Sequence, residues 1–503
     1  MRLISLLLLA SWTVVSAAEA PAKPAPKAEP PAKEEPQETP APPVARDASV
    51  IIAGKSIPYR VTAAKLQLKQ DDGKPSASIF HVSYERKDAP DAAKRPVLFA
   101  FNGGPGSSSV WLHLGMLGPK RIDLPADGTT APAPPSRVID NPESILDVCD
   151  LVFIDPVSTG YSRAEKDAKA DDFHGVEDDI SSVGDFIRRW TTEHGRWASP
   201  KFLLGESYGG IRAAGLADHL QSRFGMNLNG VVLLSSLLDF RTLSADAADP
   251  LPDLVYLPAY TATALYHGRI QGDAEAKIAE ARAFAFGEYA TALLQGGELP
   301  AGRKQELAAK LAAFTGIEPA VWLAHDLRLD PAFFRAELLR KDGKVIGRFD
   351  ARVAWESGDP AAATAGYDPS YSLAFGAFST ALLDYLGRDL GWKEDQPYEI
   401  LTRKVQPWRW NAENGYVNLS DRLAEAMRDN PRLKLLVMCG DRDLATPADG
   451  IAYSFRHLPG LPPALRANVG FSRYAGGHMF YLNPPDRAKT RADLVHFIQS
   501  ACP

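Results

Sequence analysis

Cysteine is scarce in this sequence: 503 residues hold three, Cys149, Cys439 and Cys502. That is too few for a disulfide scaffold and permits one bridge at most. The odd number leaves at least one thiol unpaired, none has a CxxC neighbour, and structural burial is the expectation for them. Ten histidines are present without an HExxH or other paired spacing, so no metal site is expected and no cofactor is implied. A basic excess is missing as well, with 56 Lys and Arg against 62 Asp and Glu. Nothing here gathers phosphates along a groove, and nucleic acid is not an expected partner.

A membrane-spanning run is also absent. The leader "MRLISLLLLASWTVVSAAEA" has one arginine, a short apolar stretch from Leu3 to Val15, and small residues at Ala17 to Ala20. It reads as a secretory signal over residues 1–20, too short for a stable span. Export to the periplasm or beyond the cell follows, with no stable membrane insertion after the signal is removed. Residues 21–46, rich in Pro, Ala, Lys and Glu, cannot build a core and read as a solvated tether.

What the chain does have is a large apolar fraction, 45%, at a length beyond the ~250–300 residues at which one core usually stops growing. A big domain with a substantial insertion is expected. "IPYRVTAAKLQLKQDDGKPSASIFHVSYER" alternates apolar and polar residues around Asp71, Asp72 and Gly73, the pattern of antiparallel strands joined by a turn. The runs "RPVLFAFNGG", "CDLVFIDPVSTG", "KFLLGESYGG", "GVVLLSSLLD" and "LKLLVMCGDRD" are continuously apolar, which suits strands buried on both faces of a mostly parallel sheet. Each spills into glycine or polar residues, where α/β sheets carry their chemistry.

Between residues 241 and 430 the strand pattern gives way to alanine-rich helical segments, with a hairpin expected at "LLRKDGKVIGRFDARV". This reads as a mainly helical lid that shapes a substrate pocket. It separates a first part of the core, residues 47–240, from a second, 431–503. The tryptophans of "QPWRWNAENGY" receive no role, since a buried tryptophan is commonly core.

"LLGESYGGIRAAG" places Ser207 between Gly205 and Gly209, after a strand and before a helix. In a GxSxG turn the strained backbone lifts the hydroxyl clear of the sheet. A serine hydroxyl needs a base for its proton and donors for the developing oxyanion. "FSRYAGGHMFYL" offers His478 as the base; the only later histidine, His496, is expected to pack in a terminal helix. "LVMCGDRDLATP" offers Asp441 and Asp443 as the acid that orients the imidazole. Serine, acid, histidine is the chain order of the α/β-hydrolases.

Taken together, "FNGGPGSSS", "GESYGG", "GDRDLATP" and "GGHMFYLNPPDRA", with "NPESILDVCDLVFIDPVSTGYSR" between the first two, resemble the serine carboxypeptidase family in order and spacing, from about residue 50 onward. The resemblance implies an α/β-hydrolase fold, with a mostly parallel central sheet, antiparallel N-terminal strands and a helical lid. The implied activity is release of C-terminal amino acids from peptides that carry a free C-terminus, through an acyl-enzyme on Ser207. It assigns Asp443 as the triad acid, leaving Asp441 to organise the turn, and the N–H groups of Gly104 and Tyr208 as the oxyanion hole. It also assigns Asn102, the Gly103 N–H and Glu206 to the substrate carboxylate. A glutamate holds an anion only when protonated, so its pKa must be raised and acidic conditions favoured.

Two departures stand out. Many relatives carry a second glutamate after NGGPG, where "SSVWLHLGMLGP" has Met116 and no acid, so His113 is a candidate helper and the pH optimum is free to move. Relatives commonly have a disulfide-forming cysteine where this chain has Ser107. An esterase or acyltransferase using the same triad is the alternative activity, and a non-catalytic binding protein on this fold is the alternative class. No feature of the sequence sets an oligomeric state.

Overall fold

The computed structural model describes residues 42–413 and 415–502. The expected leader over residues 1–20 and the tether as far as residue 41 lie outside the described residues. Alternating apolar side chains at the start of the domain form three antiparallel strands, β1 (Val44–Ile52), β2 (Lys55–Lys69) and β3 (Pro75–Arg86). Gly73, at φ +86°, donates to the Gln70 carbonyl across the β2–β3 turn at 2.9 Å. The strand boundary corrects one expectation. Val44, Ala45 and Arg46, assigned to the tether, pair with Ala63, Thr62 and Val61, because the edge of β2 offers unpaired backbone groups that a neighbouring segment satisfies.

The continuously apolar runs supply β4 (Val97–Phe101), β5 (Asp150–Ile154), β6 (Lys201–Glu206), β7 (Gly230–Leu234) and β8 (Lys434–Gly440), followed by β9 (Val469–Tyr474). The sheet order is β1-β2-β3-β5-β4-β6-β7-β8-β9, parallel from β5 onward. Leu98 and Ala100 of β4 face one core with the terminal helix Pro484–Ala501, while Val97, Phe99 and Phe101 face another with α1 (Val176–Glu193) and α2 (Gly209–Phe224). Burial on both faces explains why these strands lack alternation. It is the α/β-hydrolase architecture.

The connection from β7 to β8 is mainly helical, with helices such as Leu251–Tyr266, Ala301–Thr315 and Pro369–Asp384 and an apolar core of its own around Val255, Tyr260, Leu307 and Phe334. Its hairpin is shorter and more widely spaced than the sequence pattern suggested: Lys344–Ile346 pairs with Ala354–Glu356. Beyond Ile346 the ladder opens, because the carbonyls of Arg348 and Phe349 serve other partners. The Arg348 carbonyl accepts from Leu444 N–H at 3.1 Å, and the Phe349 carbonyl accepts from His478 N–H. His496 is exposed on the terminal helix, not packed as expected. Cys149, Cys439 and Cys502 are free thiols. Burial pushes the Cys439 thiol up to about 12.

Candidate active site

Residues following β4, β6, β8 and β9 meet at the carboxyl edge of the sheet. Ser207, one residue past β6, has φ +61°, a left-handed conformation that costs an L-residue about 1–2 kcal/mol. Three hydrogen bonds hold it there: Ser207 N–H donates to the Leu234 carbonyl at 3.0 Å, and its own carbonyl accepts from Gly210 N–H at 2.9 Å and Ser236 Oγ at 2.8 Å. The turn folds so tightly that a Cβ on Gly205 would lie 2.0 Å from the Gly209 carbonyl oxygen. Only glycine is tolerated there.

The loop after β4 lies directly against this elbow. A Cβ on Gly103 would come within 2.4 Å of Tyr208 N and 2.6 Å of Gly209 N. Among the described residues, the N–H groups of Gly103, Gly104 and Tyr208 find no acceptor within the protein. A buried ion pair fixes the approach: Arg212 on α2 donates to Asp179 Oδ2 at 2.8 Å and to the Asn102 carbonyl at 2.6 Å, with its guanidinium over the Phe101 and Tyr208 rings. From the other side, buried Asp155 accepts from Ser109 N–H and Oγ at 2.8 and 2.7 Å and from Tyr398 Oη at 2.8 Å. Ser107 Oγ accepts from Trp111 Nε1 at 3.0 Å.

Asp443 and His478 are both buried and hydrogen-bonded, Nδ1 to Oδ2, at 2.8 Å. Asp443 also accepts from Ala445 N–H at 2.7 Å, Thr446 N–H at 2.9 Å and Thr446 Oγ1 at 2.8 Å. A carboxylate held by these donors fixes the imidazole in one orientation. Burial disfavours the imidazolium, but Asp443 and, more weakly, Glu206 outweigh it, so the His478 pKa lies above the ordinary histidine value. Phe349 packs on the imidazole at 5.1 Å between ring centroids. Ser207 Oγ and His478 Nε2 make no hydrogen bond among the described residues. Asp441 instead accepts from Arg473 Nε at 2.7 Å.

Glu206 is buried beside them. Burial lifts its carboxyl to about 7; His478, a hydrogen bond from Tyr481 and the Asn102 side chain favour its charge, while Asp443 opposes it. Tyr481 Oη lies 2.8 Å from Glu206 Oε2. His113 does not reach this group. It bonds Tyr84 Oη at 2.7 Å and stacks on Phe153, so its suggested help with a carboxylate is withdrawn: its site is in the apolar core. Met116 is buried there too.

Tyr481, Thr446, Arg212 and Phe349 carry no motif of their own in the sequence. The first lies three residues after His478 and the second three after Asp443, so nearness to those loops is the one signal for them. Trp408 and Trp410, left without a role, both meet the Tyr208 ring edge-on, at 5.6 and 6.1 Å.

The serine carboxypeptidase family model matches residues 68–341. Serine carboxypeptidase-like 36 of Arabidopsis thaliana is 30% identical over 144 residues, 27% of this chain and 27% of that protein. The pheromone-processing carboxypeptidase KEX1 of Cryptococcus gattii is 31% identical over 153 residues, 30% of this chain and 21% of its own. The alignments thus span about a quarter of the curated relatives. The crystal structure of Kex1(delta)p, a prohormone-processing carboxypeptidase from Saccharomyces cerevisiae, superposes with TM-score 0.56 at 16% identity, covering 88% of this chain and 91% of that one. That likeness concerns the fold.

Proposed function

The chain belongs to the serine carboxypeptidase family, and from that premise we propose that it releases C-terminal amino acids from peptides through an acyl-enzyme on Ser207. His478 Nε2 takes the Ser207 proton, Oγ attacks the last peptide carbonyl, and the imidazolium returns the proton to the leaving amine. Asp443 holds the ring and stabilises its charge. The unengaged N–H groups of Gly104 and Tyr208 receive the oxyanion, a contribution of about 10²–10³ in kcat per donor. Water then repeats the sequence on the acyl-enzyme.

The observation that carries the reading is the buried Glu206, lifted to about 7 and adjacent in sequence to the nucleophile. Ester hydrolysis does not require such a group. A carboxypeptidase does: the protonated carboxyl donates to the terminal carboxylate, with Asn102 and the Gly103 N–H as companions. The insertion over residues 241–430 forms the lid, its Arg348 and Phe349 backbone tied to the loops of Asp443 and His478. The leader supports export, to the periplasm or outside the cell. Among the described residues no helix is long and apolar enough to cross a membrane.

The test pairs free-ended and C-terminally amidated versions of the same peptides between pH 4 and 8, followed by mass spectrometry. Free-ended peptides shorten from the C-terminus and amidated ones do not. Equal turnover of both sinks the carboxypeptidase reading in favour of a general acyl hydrolase. Ser207→Ala lowers kcat at least about 10⁴-fold.

A further inference from the structure

Glu206 Oε2 takes its hydrogen bond from Tyr481, a fully buried residue in the short turn Phe480–Leu482. The Tyr481 ring presses on Gly115, where a Cβ would come within 2.6 Å of its Cε2. Gly115 directly precedes Met116, which is buried in the apolar core. The segment from Ser107 to Pro119 carries no acid, and the turn after His478 brings a phenol to Glu206.

We propose that Tyr481 is a positioning residue for Glu206: its hydroxyl donates to Glu206 Oε2, so that the other carboxyl oxygen carries the proton offered to the substrate carboxylate. This rests on the carboxypeptidase reading of Glu206. Two adjacent carboxyls must share a proton, since like charges this close do not both ionise, and they titrate as a pair. A phenol behaves differently. Burial first, then the charge of Glu206, pushes Tyr481 well above the ordinary tyrosine range, so it remains a donor wherever peptide hydrolysis is measured. It satisfies Oε2 whether Glu206 is charged or neutral.

The groups that set the charge of Glu206 are burial, His478, Tyr481, Asp443 and Asn102. Of these, Tyr481 is the one that donates a hydroxyl to it directly. Because its bond favours the carboxylate, removing it raises the Glu206 pKa further. In Tyr481→Phe the alkaline limb of kcat/KM for free-ended peptides therefore moves up by about one pH unit. At pH 5 the freed carboxyl loses its fixed orientation, and KM rises roughly three- to tenfold, with most of the loss in KM and not in kcat.

A second readout is independent of turnover. The C=O stretch of protonated Glu206, identified by its disappearance in Glu206→Gln, is followed by infrared difference titration of the full chain. In Tyr481→Phe it moves to higher wavenumber and titrates at higher pH. A band and midpoint unchanged from wild type, with KM within twofold, overturn the role of Tyr481 while leaving the carboxypeptidase reading intact. Wild-type turnover of amidated peptides at the free-peptide rate overturns that reading, and with it the purpose assigned to the pair.

Discussion

At the carboxyl edge of the sheet, charged and polar side chains are buried and answered by partners from distant segments; the insertion between β7 and β8 buries mainly apolar and aromatic side chains, and apart from enclosed pairs such as Arg352–Asp350 its ion pairs lie near the surface. Arg212 and Asp179 are almost wholly enclosed, as are Asp443 and His478, whereas Lys310 meets Glu288 in contact with water. Taking a charge out of water costs several kcal/mol unless a partner with good geometry replaces the solvent. The edge therefore depends on each of its polar contacts, and the insertion depends on packing.

The contrast is broken most directly at its charges. Arg212→Met leaves Asp179 buried without its partner and is expected to lower stability by about 3–5 kcal/mol, with further loss of activity as the Asn102 carbonyl is released. Lys310→Met, at an exposed pair, changes stability by less than about 1 kcal/mol. Urea denaturation of the two variants beside wild type measures the difference, and equal losses would remove the distinction.

One substitution made in both places sharpens it next. Gly205→Ala drives a methyl group into the Gly209 carbonyl, costing about 1–3 kcal/mol by overpacking and displacing the Ser207 turn. Gly376→Ala, in the helix Pro369–Asp384 with nothing within 4 Å of its Cβ, stabilises by up to about 1 kcal/mol. Thermal melts should shift in opposite directions.

The smallest effect concerns protons. If Glu206 binds the terminal carboxylate only when protonated, kcat/KM for free-ended peptides falls about tenfold per pH unit above its pKa of about 7. Glutamine donates at every pH, so Glu206→Gln flattens that alkaline limb and raises KM about tenfold below it. The acid limb, set by loss of neutral His478, stays in place in this variant, because Glu206 is already protonated and uncharged there. A pH–rate profile of wild type and variant checks both limbs.

Much of this edge was readable along the chain. The apolar runs before Asn102, Ser207 and Asp443 announce doubly buried parallel strands, and Gly205 marks a turn that admits no side chain. The loops carrying Asp443 and His478, expected to cooperate from their order, are joined by a hydrogen bond. Less visible was anything resting on one side chain reaching another far away. Tyr481 lies 275 residues from Glu206, and neither neighbourhood has a periodic signature. His113, three residues before Met116, turned into the core because a helical turn points its ring toward Tyr84 and Phe153. The hairpin in the insertion lost its expected register because the carbonyls of Arg348 and Phe349 accept from Leu444 and His478 at the sheet edge.

Local patterning alone determined the strands, their parallel sense, the tight turn at Ser207 and the order in which the reactive side chains appear, since each of these follows from burial periodicity and backbone sterics within a few residues. Tertiary structure alone decided which donor meets Glu206, how Arg212 anchors the loop of Asn102, and where the insertion touches His478. Those contacts depend on the meeting of rotamers from separate strand ends in a medium where water no longer screens or competes, and no local stretch encodes that geometry.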